Sequence, residues 1–471
     1  MKNVFTTSAK MAVVLGAMMS AHSTSASERL AERRQVDLLI ENAHIVTMDG
    51  NFRVIEHGAI AIEGSRIIAV GGPEVSEQFD AAETLDAGGD IVMPGMVNTH
   101  THASMTIFRG LGDDIPDRLE RFIFPLEAMV VNAENVYTGA LLGAVEMVLG
   151  GATTFVDMYY FEDQVARAAK AVGIRAVLGE TVIGFPAPDA KEPYGGLDYA
   201  RRFIQEFADD ELVVPALAPH APYTMDEHHL KQVAEAAREL GVPVLVHLSE
   251  TQKEIDQIER DFKMSPVEYL DSVGLLTDQL VAAHCIFVDQ ADIELLRRRG
   301  VGVSHNIVSN IKAGKGVAPV VAMLAAGLDV GLGTDGAMSG NTLDMMGLLG
   351  YTAKLHKLAS LDRRVMPAKD VVAMATIGGA RAINMGESIG SLEVGKLADL
   401  IIVDTHSVNM IPMYDVYSAL VYAANSHDVR TVIINGRLVM RDRRLLTVDL
   451  EQIKRDVLEL TNRIAEKASK L

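Results

Sequence analysis

Eight short β-prone runs recur between residues 91 and 335, and this recurrence constrains the chain more than any other feature of its sequence. The runs cover 91–98, 153–157, 175–180, 212–219, 244–247, 280–284, 301–305 and 329–335, with helical patterns such as 133–149, 225–240 and 291–299 between them. Strand alternating with helix eight times predicts an α/β fold, a parallel (β/α)8 TIM barrel. Parallel barrel strands are buried and should read as almost unbroken apolar sequence. Here several runs end in polar residues instead: His100 and His102, Asp157, His220, His247, His284, His305 and Asp335. Unpaired polar groups are costly in a core, and barrels carry their chemistry at the C-terminal ends of their strands. A site at the barrel mouth is therefore expected.

Two β-rich segments bracket the barrel. Residues 36–47 read as a strand, and 59–62 with 66–70 as a hairpin around Glu63-Gly64. Residues 398–403 are β-rich, and 432–434 with 437–440 form a second hairpin. Its Asn435-Gly436 suits a two-residue type I′ turn. The expected organisation is a small β-sandwich domain built from both termini (36–93 and 386–450), a barrel over 94–385, and a C-terminal helix over 451–471. A chain of 471 residues, 49% of them hydrophobic, is ample for both domains.

Lys2 and Lys10, the apolar run 11–21 and the small residues 23–27 have the order of a secretory signal peptide, residues 1–26, cleaved after Ala26. The run is shorter than the ~20 residues that span a bilayer. No cysteine follows it and no arginine pair precedes it, so neither a lipid anchor nor the twin-arginine route is indicated. Export to the periplasm is the expectation. With 63 acidic against 43 basic residues, the net charge of −20 argues against a nucleic-acid polymer as partner but not against an uncharged small molecule.

Pro94-Gly95-Met96-Val97-Asn98-Thr99-His100-Thr101-His102 places two histidines two residues apart. Residues i and i+2 of a strand share a face, so both imidazoles can enter the barrel mouth. His247 can add a third nitrogen, and Asp335 in Gly333-Thr334-Asp335-Gly336 an oxygen. Three His and one Asp suit Zn²⁺, one per subunit, or Fe²⁺ or another divalent ion. The fourth run ends Ala216-Leu217-Ala218-Pro219-His220, with no lysine to bridge two metals.

PGMVNTHTH, HLSE, AHC, SHN, GTDG and GSLEVGKLADLIIVD together resemble the amidohydrolase superfamily, in the branch of the methylthioadenosine and adenosylhomocysteine deaminases and the triazine hydrolases. The resemblance implies a metal-bearing barrel with a β-sandwich from both termini. It implies metal ligands at His100, His102, His247 and Asp335, a proton-shuttling carboxylate at Glu250 and a catalytic His284. Asp335 also serves catalysis, holding water and accepting its proton. Glu127, in Phe124-Pro125-Leu126-Glu127, matches a position that binds ribose hydroxyls, and His220 a substrate-contacting segment. The implied reaction is hydrolytic deamination of adenosine, methylthioadenosine or S-adenosylhomocysteine. Guanine, a pterin, cytosine or a triazine would use nearly the same mechanism. A non-catalytic exported metal-binding protein is the alternative of another class. A homo-oligomer is expected by resemblance.

The chain departs from these relatives at three places. Gly179-Glu180-Thr181 stands where an arginine for a substrate carboxylate is expected, and Glu180 should repel such a group. Ile307-Val308 follows Ser304-His305-Asn306 where proline is usual, and there is no Trp. These departures lean toward an uncharged substrate such as adenosine or methylthioadenosine, or a different aminated heterocycle, with Met105, Phe108 and Phe185 as pocket candidates. His305 is read as support behind the ligands, and His228, His229, His356, His406 and His427 as surface residues.

Overall fold

A computed structural model describes residues 33–115 and 117–471. The proposed signal peptide lies outside the described residues. Eight parallel strands close a barrel in chain order: Met96–Thr101, Ala152–Tyr159, Arg175–Val182, Val213–Pro219, Val244–Leu248, Leu280–His284, Gly302–His305 and Val330–Leu332. The (β/α)8 expectation is met, and the site lies where these strands end.

The barrel interior explains its own polarity gradient. Val97, Val156, Met158, Val177, Ala216, Ala218, Leu245 and Val281 form one buried cluster across the strands. Farther along the same strands the inward positions become His100, His247 and His284. The apolar layers hold the barrel closed, so the mouth is left to carry polar side chains.

The first β-prone run divides between two sheets. Ile91–Pro94 pairs with Arg34–Val46 and Leu400–Val403, whereas Met96–Thr101 pairs within the barrel. Pro94 has no N–H for a ladder. At Gly95 any side chain would meet Thr153, 2.0 Å from an ideal Cβ. The chain changes sheets at these two residues.

The small domain is one nine-stranded sheet drawn from Arg34–Pro94 and Leu400–Leu445. Leu38, Ile40, Ile60, Ile62, Val92, Leu400, Ile402 and Ile433 share its apolar core. Asn435 (φ 53) and Gly436 (φ 75) make the expected left-handed two-residue turn. A buried ion pair ties the domains: Arg175, at the base of the third barrel strand, donates to both carboxylate oxygens of Asp399 at 2.9 and 3.2 Å. Helix Leu450–Ala468 closes the chain, capped by Asp449. No helix among the described residues is long and apolar enough to cross a membrane.

Candidate active site

His100 sits inside the first barrel strand and His102 just past its end, their ring centroids 4.9 Å apart. His247, from the fifth strand, lies 5.1 Å from His100 and 5.4 Å from His102. Asp335, just after the eighth strand, places Oδ1 3.8 Å from His100 Nε2 and 3.5 Å from His102 Nε2. The four residues expected to bind metal therefore converge.

Their hydrogen bonds fix which nitrogen faces the centre. His102 Nδ1 lies 2.6 Å from the Met158 carbonyl, and His247 Nδ1 2.7 Å from that of His220. A carbonyl only accepts, so both Nδ1 atoms donate and both Nε2 atoms present lone pairs. His100 Nε2 is buried without a hydrogen-bond partner among the described residues. Burial, then the adjacent His102, pushes His100 well below the usual histidine range. Burial, then His220 and His100, does the same to His247. Burial opposes ionisation of Asp335, but the surrounding imidazoles and the Ser309 hydroxyl at 2.5 Å outweigh it and keep the carboxylate ionised. Imidazoles held neutral at His100 and His247, the adjacent His102 ring, an ionised carboxylate and one orphaned nitrogen are the donor set a divalent cation satisfies.

The side-chain atoms that could hold a metal fall into two overlapping groups, His100–His102–Asp335 and His100–His247–His284, each within 4.8 Å. His284 is distinguished by its other neighbours. Its Nδ1 donates to Asn310 Oδ1 at 2.8 Å, and its Nε2 lies 3.5 Å from Glu250 Oε1. Glu250 stands in the turn after the fifth strand, where Glu254 accepts from the backbone N–H groups of Ser249 and Glu250 at 2.8 and 2.9 Å. Lys315 completes this wall by donating to Glu250 Oε1. Burial would raise the pKa of Glu250, yet His284 and Lys315 lower it to about 2.

Three of these turns are bent into left-handed backbone at residues other than glycine: Ser249 (φ 50), His284 (φ 76) and Asp335 (φ 59). Such conformations persist only where surrounding contacts impose them, and they gather at functional sites.

Of the converging residues, His102, His247, Glu250, His284 and Asp335 line a cavity of about 660 Å3. Glu127, on helix Phe124–Val130, is buried in the wall of the same cavity, and Tyr159 donates to its Oε1 at 2.7 Å. Burial, only partly offset by Tyr159 and His102, raises the pKa of Glu127 to about 7. His220 joins the lining, with Nδ1 3.0 Å from Thr224 Oγ1 and its pKa lowered by burial to about 4. Met105, Phe124 and Tyr223 supply apolar surface.

Several expectations need correction. Strand alternation puts Val177 inside the barrel and Leu178 outside it, so Thr181 lines the cavity and Glu180 does not. Glu180 instead accepts from the Glu162 N–H at 2.9 Å, at the start of helix Glu162–Val172, and cannot repel a substrate. His356 is buried rather than on the surface, with Nε2 2.9 Å from His305 Nε2. His305 thus turns to His356 and not to a ligand. Phe108 is wholly buried in the core, and Phe185 packs on Phe124 behind the lining.

The site residues outside the sequence expectations include Tyr159, Glu254, Ser309, Asn310 and Lys315. Gly314-Lys315-Gly316 carries a local signal, a charged residue between two glycines in a loop. Glu254 and Asn310 act through contacts that no sequence spacing displays.

The amidohydrolase family profile matches residues 91–439. A 5-methylthioadenosine/S-adenosylhomocysteine deaminase of Syntrophobacter fumaroxidans is 47% identical over 422 residues, which span 89% of this chain and 96% of that one. A 5'-deoxyadenosine deaminase of Methanosarcina mazei is 40% identical over 421 residues, 88% of this chain and 96% of its own. The structure of a zinc-bound adenosine deaminase from Xanthomonas campestris superposes with a TM-score of 0.90 at 36% identity, covering 92% of this chain and all of that one.

Proposed function

The chain belongs to the amidohydrolase family and is a hydrolytic deaminase acting on carbon–nitrogen bonds, and on that premise we propose that its substrate is an adenosine-like nucleoside, from which it releases ammonia. One observation carries the reading. One cavity is lined by His102, His247, His284 and Asp335, from the side-chain groups that could hold a metal, and by two buried carboxylates, Glu250 and Glu127. The first suits a heteroaromatic ring that must be protonated as it is attacked. The second suits a pair of sugar hydroxyls.

We assign His100, His102, His247 and Asp335 to a single divalent ion, zinc by preference. When bound, it supplies the Lewis acidity that makes water nucleophilic near neutral pH. Glu250 is ionised at rest, so the proton it gives to the ring nitrogen is one it first takes from the attacking water. That transfer relieves the charge developing on the ring. Asp335 Oδ1 takes the second proton and passes it to the departing amine. His284 donates from Nδ1 to Asn310, so its Nε2 donates only in the imidazolium form. In that form it bonds the oxygen that attacks the ring. Glu127 accepts from the ribose hydroxyls, and His220 borders the same space. With Glu180 outside the cavity, the third strand end no longer separates charged from uncharged 5′ substituents.

The test is ammonia release by the zinc-loaded protein from adenosine, methylthioadenosine, adenosylhomocysteine, guanine, cytosine, a pterin and melamine. Turnover of an adenosine compound, slowed about 1,000-fold in Glu250→Gln, is the expected result. Turnover of guanine, cytosine, the pterin or melamine alone keeps the chemistry and overturns the substrate. Export, with cleavage after Ala26, rests on the N-terminal sequence. N-terminal sequencing of periplasmic protein that begins at Ser27 would support it, and a retained Met1 would oppose it.

A further inference from the structure

The segment 306–315, between the seventh and eighth barrel strands, touches three of the residues to which the proposed reaction gives a part. Ser309 Oγ donates to Asp335 Oδ2 at 2.5 Å. Asn310 Oδ1 accepts from His284 Nδ1 at 2.8 Å. Lys315 Nζ donates to Glu250 Oε1. The short helix Ile307–Lys312 presents the first two, and the chain then doubles back. The Lys315 N–H donates to the Asn310 carbonyl at 2.9 Å, between Gly314 (φ 64) and Gly316 (φ 121). Glycine takes these backbone angles at little cost. The reversal returns Lys315 to the cavity wall.

The contact is asymmetric at Glu250. Oε1 is held by Lys315 and stands 3.5 Å from His284 Nε2. Oε2 has no hydrogen-bond partner among the described residues. A solvated lysine at a cavity mouth would contribute little by pairing with a carboxylate. Here the carboxylate side chain is only 12% exposed and the lysine side chain 29%, so water competes weakly for the contact and the geometry is kept.

We propose that Lys315 is a positioning residue of the deamination: by clamping Oε1 of Glu250 it fixes Oε2 as the oxygen that passes the proton to the substrate ring. The inference rests on the reading of Glu250 as the proton carrier. In the transfer the Oε2–H bond breaks as the ring N–H bond forms, and Lys315 keeps its own protons throughout. Lys315 acts through Glu250 and makes no bond to the reacting atoms.

The experiment is a double-mutant cycle of Glu250→Gln and Lys315→Met, with Lys315→Arg as the conservative variant. It is run on whichever compound of the panel the zinc-loaded wild type turns over fastest. Misplacing a reacting group can cost about 100-fold, so Lys315→Met should lower kcat by roughly 10- to 100-fold and change KM by less than about 3-fold. Lys315→Arg should recover much of that loss. In the Glu250→Gln background, Lys315→Met should cost nothing further. Three results overturn the proposal: a raised KM at unchanged kcat, which makes Lys315 a substrate contact; wild-type kinetics; or equal losses in both backgrounds, which makes its role structural. If adenosine compounds fail and another ring amine works, the substrate reading falls while the cycle still decides on Lys315. If no compound is turned over, a crystal structure with Nζ away from Glu250 overturns the clamp, and one with the contact present and Oε2 free supports it.

Discussion

Glu250 and Glu127 are both carboxylates, both buried and both in the wall of one cavity, yet their environments drive them in opposite directions. Burial raises the pKa of each. At Glu250 it is outweighed by His284 and Lys315, and the pKa falls to about 2. At Glu127 the hydroxyl of Tyr159 and the more distant His102 cannot offset it, and the pKa rises to about 7. What decides is the neighbour and not the residue type. A carboxylate beside a lysine ammonium and a histidine ring is held ionised, with a fixed orientation. A carboxyl facing one neutral donor holds its proton until near neutrality and has an oxygen to spare for another hydroxyl.

The largest expected effect separates the walls by kinetics. Glu250→Gln keeps the shape and removes the proton carrier, so kcat should fall by about 1,000-fold, within the usual range for general acid–base groups, while bound zinc, measured by atomic absorption, stays near one per chain. Glu127→Gln should raise KM for adenosine or its 5′-substituted analogues by about 10-fold, the size of one lost charge-assisted hydrogen bond, and leave kcat within about 3-fold. On 2′,3′-dideoxyadenosine the Glu127→Gln penalty should vanish. A kcat loss from Glu127→Gln equal to that from Glu250→Gln would abolish the distinction between the walls.

The second test reads the same contrast as stability in the metal-free protein. The folded pKa of Glu127 is above its unfolded value of 4.5, so the folded state binds more protons between about pH 4.5 and 7 and stability falls as pH rises through that window. Removing this group should therefore raise Tm, increasingly from pH 5 to pH 8. The free energy of the rise from 4.5 to about 7 sets a ceiling of about 3 kcal/mol on that gain. Glu250 has the opposite sign. Its folded pKa is depressed, so its contribution is present above about pH 4.5 and is lost on acidification toward pH 2. Glu250→Gln should lower Tm at pH 7, because it also leaves Lys315 partly buried without its counter-charge. Thermal unfolding of both variants across pH 4 to 8 checks the signs. A matching direction for the two would show that their environments are alike.

A third test leaves the cavity for the domain junction. Arg175 and Asp399 are buried to 3% and 1% exposure, so Arg175→Met abandons a buried carboxylate. It should cost about 3 kcal/mol or more, read in denaturant unfolding, with KM unchanged in the protein that remains folded.

The barrel and the residues that cluster at its mouth were legible in the sequence because each leaves a local mark. A strand that should be apolar ends in histidine at His100, His247 and His284, and a barrel offers few other reasons for that. The residues that set the two carboxylates apart leave no such mark. Lys315 reaches Glu250 across 65 positions, and Tyr159 reaches Glu127 across 32. Both contacts depend on how loops return to the mouth. The expectation for Glu180 fails for a related reason: composition puts an acid at a strand end, but only alternation counted from Val177 and Leu178 says which way it points.

The smallest effect is the finest probe of the Glu127 wall. Tyr159→Phe removes the one donor to Glu127 Oε1 among the described residues and little else, because the ring stays packed beside Tyr160, with centroids 5.0 Å apart. One net hydrogen bond is worth about 1 kcal/mol, so KM for a riboside should rise about 3-fold with kcat unaltered. The direction of the pH dependence carries more than the magnitude. Ionised Glu127 is the better acceptor for two hydroxyls, so in the wild type 1/KM for a riboside should rise with pH through about 7. The Tyr159 hydrogen bond favours the ionised form, and removing it should move that rise to higher pH. The dideoxy analogue should show neither the rise nor the shift. A riboside profile that stays where it was, or a shift shared by the dideoxy compound, would mean that Tyr159 packs against Glu127 without governing its charge.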